Sequence, residues 1–313
     1  MVCILCVIFA FVLILKGGDL LVESSIWFSK KANIPSLVVG ATVVAIATTF
    51  PEVSVSIFSG IQGAENLAIN TALGSMVCNF ALVLGLSFLL IPSHISKSGL
   101  KKKVCFFVMS IMCLFMFALD QELGFLDACL LFLIFIIYII VCILEARNKN
   151  IHEVINKESI PTWKKTITQF VISAFAIGFG ANVLVSNIDN LSVLLGISEG
   201  LLGVFIISVG TNIPEFVTTM TAIKLKDSEI GIGNIFGASI IDSTMLIAVT
   251  VFAGQSNSIR IPIKLVLLTV PLLILITAII SIPILRKEKS NRIQGLLLII
   301  LFLIYSIILT KIS

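Results

Sequence analysis

The stretch Gly40-Ala-Thr-Val-Val-Ala-Ile-Ala-Thr-Thr-Phe-Pro-Glu52 decides how this chain is read. It is an apolar segment in which a proline is followed at once by a glutamate. The run Gly203-Val-Phe-Ile-Ile-Ser-Val-Gly-Thr-Asn-Ile-Pro-Glu215 repeats it 163 residues later. In that register Gly40 falls on Gly203, Thr48 on Thr211, Pro51 on Pro214, Glu52 on Glu215, Gly74 on Gly237 and Asn79 on Asp242. Leu21-Val22 and Leu184-Val185 carry the register upstream without a gap. Any two apolar stretches can align Leu with Val. Aligned Thr, Pro and Glu inside apolar stretches need a common origin.

The composition says what surrounds these runs. Of the 313 residues, 58% are hydrophobic and 12% are charged, against about a quarter charged in a soluble domain. Apolar stretches recur along the whole length, so lipid is the expected solvent. Ten spans are expected, at 2–28, 36–60, 67–91, 104–119, 124–145, 166–188, 198–223, 229–253, 262–285 and 293–311. Helices are the expected form, because backbone groups in lipid must be satisfied within the segment. The first stretch lacks a basic leader and a small-residue cleavage site, so it reads as a retained span. The seven cysteines make no metal-ligand pattern with histidine and read as small apolar packing residues.

Most of the 21 Lys and Arg residues fall on one side if the N-terminus is placed outside. The predicted cytoplasmic loops hold Lys30 and Lys31, then Lys97, Lys101, Lys102 and Lys103. Further along come Arg147, Lys149, Lys157, Lys164 and Lys165, then Lys224 and Lys226, and last Arg286, Lys287, Lys289 and Arg292. Outer loops carry acids such as Glu65, Asp120 and Glu122. This asymmetry sets the orientation and leaves nothing for nucleic acid to bind. The resulting reading is an all-α integral membrane protein, with ten transmembrane helices forming two inverted five-helix repeats. Its parts are a first repeat over 1–146, a cytoplasmic loop over 147–165 and a second repeat over 166–313. An odd number of spans per half makes the repeats inverted. Matching Gly- and Pro-interrupted spans in inverted halves point to a transport site at the midplane.

Proline inside a span removes a donor and crowds the carbonyl a turn earlier, so Pro51 should free carbonyls near Ala47 and Pro214 near Gly210. A carboxylate at membrane depth is costly and normally faces the protein interior and a partner. The spans bearing Glu52 and Glu215 hold no lysine or arginine, so the natural partner is a bound cation. Two carboxylates with hydroxyls and carbonyls form a hard, all-oxygen donor set that suits calcium and sodium. Gly74-Ser75-Met-Val-Cys-Asn79 and Gly237-Ala238-Ser-Ile-Ile-Asp242 supply a second wall; Ser75 and Asn79 share one helix face. The bland alternative is that these polar residues only tie helices together. It suits a single Thr or Ser better than two glutamates at matched places after matched prolines.

These motifs resemble the cation/calcium exchanger superfamily, and within it the prokaryotic sodium/calcium exchangers. The resemblance rests on Ala47-Thr48-Thr49-Phe50-Pro51-Glu52 with Gly74 to Asn79, and on Gly210-Thr211-Asn212-Ile213-Pro214-Glu215 with Gly237 to Asp242. It implies calcium held by Glu52 and Glu215 with the carbonyls of Thr48 and Thr211. It implies a sodium site from Glu52, the Ala45 carbonyl, Thr49 and Ser75. The symmetric site would use Glu215, the Ser208 carbonyl, Asn212 and position 238, with Asn79 and Asp242 bordering the centre. Asn212 and Ala238 stand where the pattern has hydroxyls, and a methyl cannot ligate, so sodium should bind the second half weakly.

The expected function is therefore exchange of Ca2+ for Na+ by alternating access, in the cell membrane, with both termini outside. No cofactor is expected beyond the transported ions, and a monomer suffices. A proton/calcium antiporter is the alternative and a cation channel a remote one. An intramembrane enzyme is not expected: His94 and His152 lie in loops and Asp242 faces Asn79, not an aspartate, in the repeat.

Overall fold

The computed structural model describes residues 2–63, 65–148, 163–186, 212–254, 258–261 and 263–312. They form long helices: α1 (Val2–Ala32), α2 (36–61), α3 (65–90), α4 (Lys97–Phe117), α5 (Phe125–Asn148) and α6 (Trp163–Ser186). After these come α7 (Ile213–Lys224), α8 (Ser228–Ala253), α9 (Ile263–Lys287) and α10 (Arg292–Ile312). By length and composition, Ala68–Leu90, Phe125–Arg147, Ser228–Ala253, Ile263–Lys287 and Arg292–Leu309 can each cross a membrane. Leu126, Phe175, Phe179 and Ile307 are exposed, as lipid-facing side chains should be, whereas polar residues crowd the interior. α8 lies at the centre: 83% of its apolar stretch is buried, against 28% for α5.

Two expectations need correction. Helix α4 starts at Lys97 and not near 104, because lysine and leucine are good helix formers and the first turn tolerates Gly99. Lys103, placed in a loop by its charge, is instead on α4 with its side chain 1% exposed. It meets Glu145 of α5 at 2.8 Å, with Cys142 and the Tyr138 ring beside it. The charge count gave the right end of the helix, but it could not see that α5 brings an acid to meet it.

The structure also adds two strands too short for any sequence pattern. β1 (Glu122–Gly124) pairs antiparallel with β2 (Ser258–Arg260), Glu122 opposite Arg260. A lone bridge joins His94 to Lys289.

Glycine sets how close the central helices come. A Cβ at Gly40 would collide with the Ile230 carbonyl, one at Gly233 with the Leu37 carbonyl, and one at Gly237 with the Ala41 carbonyl. α2 and α8 thus run side by side, backbone against backbone. Three stretches widen to π-helical turns: Gly40–Val44 in α2, Cys78–Val83 in α3 and Asp242–Leu246 in α8. Such turns loosen the backbone pairing and recur at functional sites. Tyr138 of α5 donates its hydroxyl to the Ala41 carbonyl in the first of them, at 2.7 Å.

Helices α1 and α6 pack through a reciprocal contact. A Cβ on Gly17 would lie 2.8 Å from the Ile177 side chain and 3.1 Å from the Ser173 carbonyl. One on Gly180 would lie 2.8 Å from Ile14 and 3.0 Å from the Ala10 carbonyl. Ascending α1 therefore means descending α6: the two are antiparallel. Trp27 near the end of α1 accordingly stacks edge-on against Trp163 at the start of α6, with ring centroids 4.8 Å apart.

Candidate functional site

Glu52 lies midway along α2, buried, with Oε2 lacking any hydrogen-bond partner among the described residues. Glu215 lies in the first turn of α7, just past Asn212 at the N-cap position, and neither of its oxygens has a partner there. The two are 4% and 1% exposed. Pro214 occupies the first turn of the described helix, where its missing N–H leaves no intrahelical bond broken. The acid behind it faces the positive end of the helix dipole. Gly210, whose carbonyl was expected to be freed, lies outside the described residues, as do Thr211 and Ser208. Pro51 is within helix α2 as expected.

Asp242 opens the π-turn of α8, and Asn79 is the second residue of the π-turn in α3. Both are buried, and no polar side-chain atom of either has a partner among the described residues. Glu52, Glu215 and Asp242 lie near enough that any two of them, when ionised, would repel each other. Among the described residues none of the three pairs with a lysine or arginine.

Ser56 and Ser239 complete the set of buried polar side chains left without a partner among the described residues. Ser56 is a turn beyond Glu52 on the same face of α2, and Ser239 is three before Asp242 on α8. Each such group costs about 1–3 kcal/mol, more if charged, and natural folds keep few without a use. Here they gather on α2, α3, α7 and α8, the helices carrying the repeated motifs. No group of three or more acid, Cys or His side chains is gathered for a single metal ion among the described residues. A cation entering here has to complete its shell from carbonyls, hydroxyls, amides and water.

The remaining candidates are placed as follows. Thr49 donates to the Ala45 carbonyl at 2.6 Å, and Thr48 approaches the same carbonyl at 3.3 Å. Ser75 is not beside them by any hydrogen bond; it accepts one from the Asn212 amide at 3.2 Å. The structure therefore joins a residue expected in the first sodium set to one expected in the second. Ala238 packs in an apolar cluster with Ala45, Val53, Phe135 and Ile241.

One residue escaped the sequence reading. Asn234 on α8 is fully buried; its oxygen accepts from Thr48 at 3.1 Å and its nitrogen donates to Thr218 at 3.0 Å. An amide alone in Ile230-Gly-Ile-Gly-Asn-Ile-Phe-Gly237 was a signal, since polar residues in spans are rarely idle. The repeat hid it, because its counterpart is Thr71.

The family described as sodium/calcium exchanger protein matches residues 2–144 and 165–311. The chain belongs to that family. A relative in Methanosarcina acetivorans, the sodium/calcium exchanger MaX1, is 27% identical over 337 residues, covering 95% of each chain. An uncharacterized membrane protein of Methanocaldococcus jannaschii is 27% identical over 293 residues, covering 94% of this chain and 93% of that one. Among solved structures, the sodium-calcium exchanger NCX_Mj soaked with 2.5 mM Na+ and 10 mM Sr2+ has the same fold. It superposes with a TM-score of 0.82 at 24% identity, over 97% of each chain. The exchanger-family chain is thus an integral membrane protein of a transporter family.

Proposed function

We propose that this chain is a sodium/calcium antiporter. The observation that carries the reading is the pair Glu52 and Glu215, buried at matched places, each with a carboxylate oxygen lacking a hydrogen-bond partner and with no basic residue to neutralise it among the described residues. Calcium brings two charges to two carboxylates, and sodium ions can replace it with similar neutralisation. In this reading calcium is bound by Glu52, Glu215 and the carbonyls of Thr48 and Thr211. Sodium is bound by Glu52, the Ala45 carbonyl, Thr49 and Ser75, and on the other side by Glu215, Ser208 and Asn212. Asn79 and Asp242 border the centre. The empty site, charged and dry, resists crossing a closed state, so the protein changes sides when loaded.

The architecture proposed is ten spans in two inverted repeats, 1–146 and 166–313, flanking a cytoplasmic loop at 147–165. The α1–α6 contact supports inversion. Gly17, Ile14 and Ala10 map onto Gly180, Ile177 and Ser173 under the same shift of 163, and the two helices run antiparallel. A two-fold axis between them, lying in the membrane plane, produces that reciprocity. The strand pair and the His94–Lys289 bridge fit it as well. Each joins the loop after the third helix of one half to the loop after the fourth helix of the other. α1 and α6 then slide across the other helices to give alternating access. The protein sits in the cell membrane with both termini outside, and a monomer suffices.

Proton/calcium exchange is the second reading, favoured by Ala238, whose methyl in its apolar cluster cannot ligate sodium. Radioactive calcium flux into proteoliposomes, under imposed sodium, potassium or proton gradients, separates the two. Uptake driven by an outward sodium gradient is expected. Uptake driven by a pH gradient alone overturns the sodium assignment. Recording charge movement in the same vesicles tests the weak second sodium site.

A further inference from the structure

We infer that Asn234 is a positioning residue: its single amide braces the helix of Glu52 to the helix of Glu215 and so fixes the separation on which ion selection depends. The inference rests on the exchange reading of that site. Thr48 is one turn before Glu52 on α2, and Thr218 is in the next turn after Glu215 on α7. Asn234, from α8 between them, touches both. The Thr48 hydroxyl donates to its oxygen at 3.1 Å, and its nitrogen donates to the Thr218 hydroxyl at 3.0 Å. Thr218 in turn donates to the Pro214 carbonyl at 2.8 Å, and lies 3.1 Å from the carbonyl of Glu215 itself. The bonds form one directed chain from the turn before one acid to the backbone of the other. All three side chains are at most 1% exposed, so water does not compete for the bonds.

An amide suits this place. It must accept on one side and donate on the other, which a carboxylate, a hydrocarbon or a lysine cannot do together. The brace also has a load to carry. It joins two helices whose buried acids have no basic residue between them among the described residues, so in a site emptied between cycles it helps to set their separation. Selection among hard cations of one charge is a matter of cavity size and rigidity, so the brace acts on discrimination and not only on affinity. The repeat does not duplicate it: Thr71 stands opposite Asn234 and Val55 opposite Thr218. The bridge is a one-sided device in an otherwise paired design.

The test is sodium-driven uptake of radioactive Ca2+ in proteoliposomes, with Sr2+ and Ba2+ as competitors, for the wild type, Asn234→Ala, Thr218→Val and the double variant. Asn234→Ala is expected to raise half-saturating Ca2+ about tenfold, the effect of losing buried hydrogen bonds. It should also let Ba2+ compete several-fold better relative to Ca2+. Thr218→Val keeps the volume and the Thr48 bond, and should shift the Ba2+/Ca2+ ratio the same way by less. The double variant should be no worse than Asn234→Ala alone, since both cut one chain. If Asn234→Ala does not fold, Thr218→Val decides alone, and a wild-type ratio in it overturns the brace. Equal losses that simply add in the double variant overturn it too. A wild type that takes up no Ca2+ under a sodium gradient overturns the sodium/calcium reading itself, and the brace with it.

Discussion

Glu52 and Glu215 are costly residues to bury. A carboxylate taken from water without a partner costs several kcal/mol after relaxation, and neither of these has a basic neighbour among the described residues. Glu52→Gln and Glu215→Gln remove that cost while keeping the shape. Each should abolish calcium exchange in proteoliposomes and leave the melting temperature of the purified protein unchanged or higher. Retained calcium uptake in either variant would contradict the site. Lys103 carries the opposite lesson, because its charge is already matched by Glu145 at 2.8 Å. Lys103→Met strands a buried acid, which costs about 3–5 kcal/mol. Lys103→Met with Glu145→Leu replaces the pair by apolar groups and should recover most of the lost thermal stability. A single variant as stable as the wild type would show that the pair is solvated.

At the scale of the helices, the controlling fact is how closely α2 and α8 approach. Gly40, Gly233 and Gly237 leave room for backbone against backbone, and this seam lies beside the π-turn whose Ala41 carbonyl takes the Tyr138 hydroxyl. Gly237→Val drives a branched side chain into the Ala41 carbonyl and the Ala45 methyl. Overpacking of that kind costs about 1–3 kcal/mol. We expect a lower melting temperature together with weakened calcium uptake, because the seam positions Ala45 and Thr49. A valine variant with wild-type stability and flux would mean that the two helices separate more easily than the close approach implies.

For the whole molecule, the α1–α6 pair packs against α7 through Gly18, whose hypothetical Cβ would strike Val217. If exchange needs this pair to slide, fixing it there must stop transport. Gly18→Cys with Val217→Cys, in a chain whose seven native cysteines are replaced, should lose calcium exchange on cross-linking and regain it on reduction. Full flux after complete cross-linking would show that α1 does not move past α7.

The sequence by itself determined the class of molecule and named a candidate site. Lipid forbids unsatisfied backbone, so apolar runs of span length had to be helices. A repeated Pro-Glu without any basic residue nearby pointed to a bound cation as its partner. These inferences need only residue type and spacing, and the family match bears out the membrane and exchanger readings. Tertiary structure decided what depends on which helices meet. Lys103 reads as a loop charge until α5 supplies Glu145. Ser75 and Asn212 belong to separate ligand sets in the repeat until α3 and α7 bring them to one hydrogen bond. Asn234 has no identical partner in its own repeat. Its meaning comes from Thr48 and Thr218, which lie on two other helices and are joined to it only when the chain is folded. Spacing along one helix fixes a face; what that face meets is set by packing, and linear pattern carries no record of it.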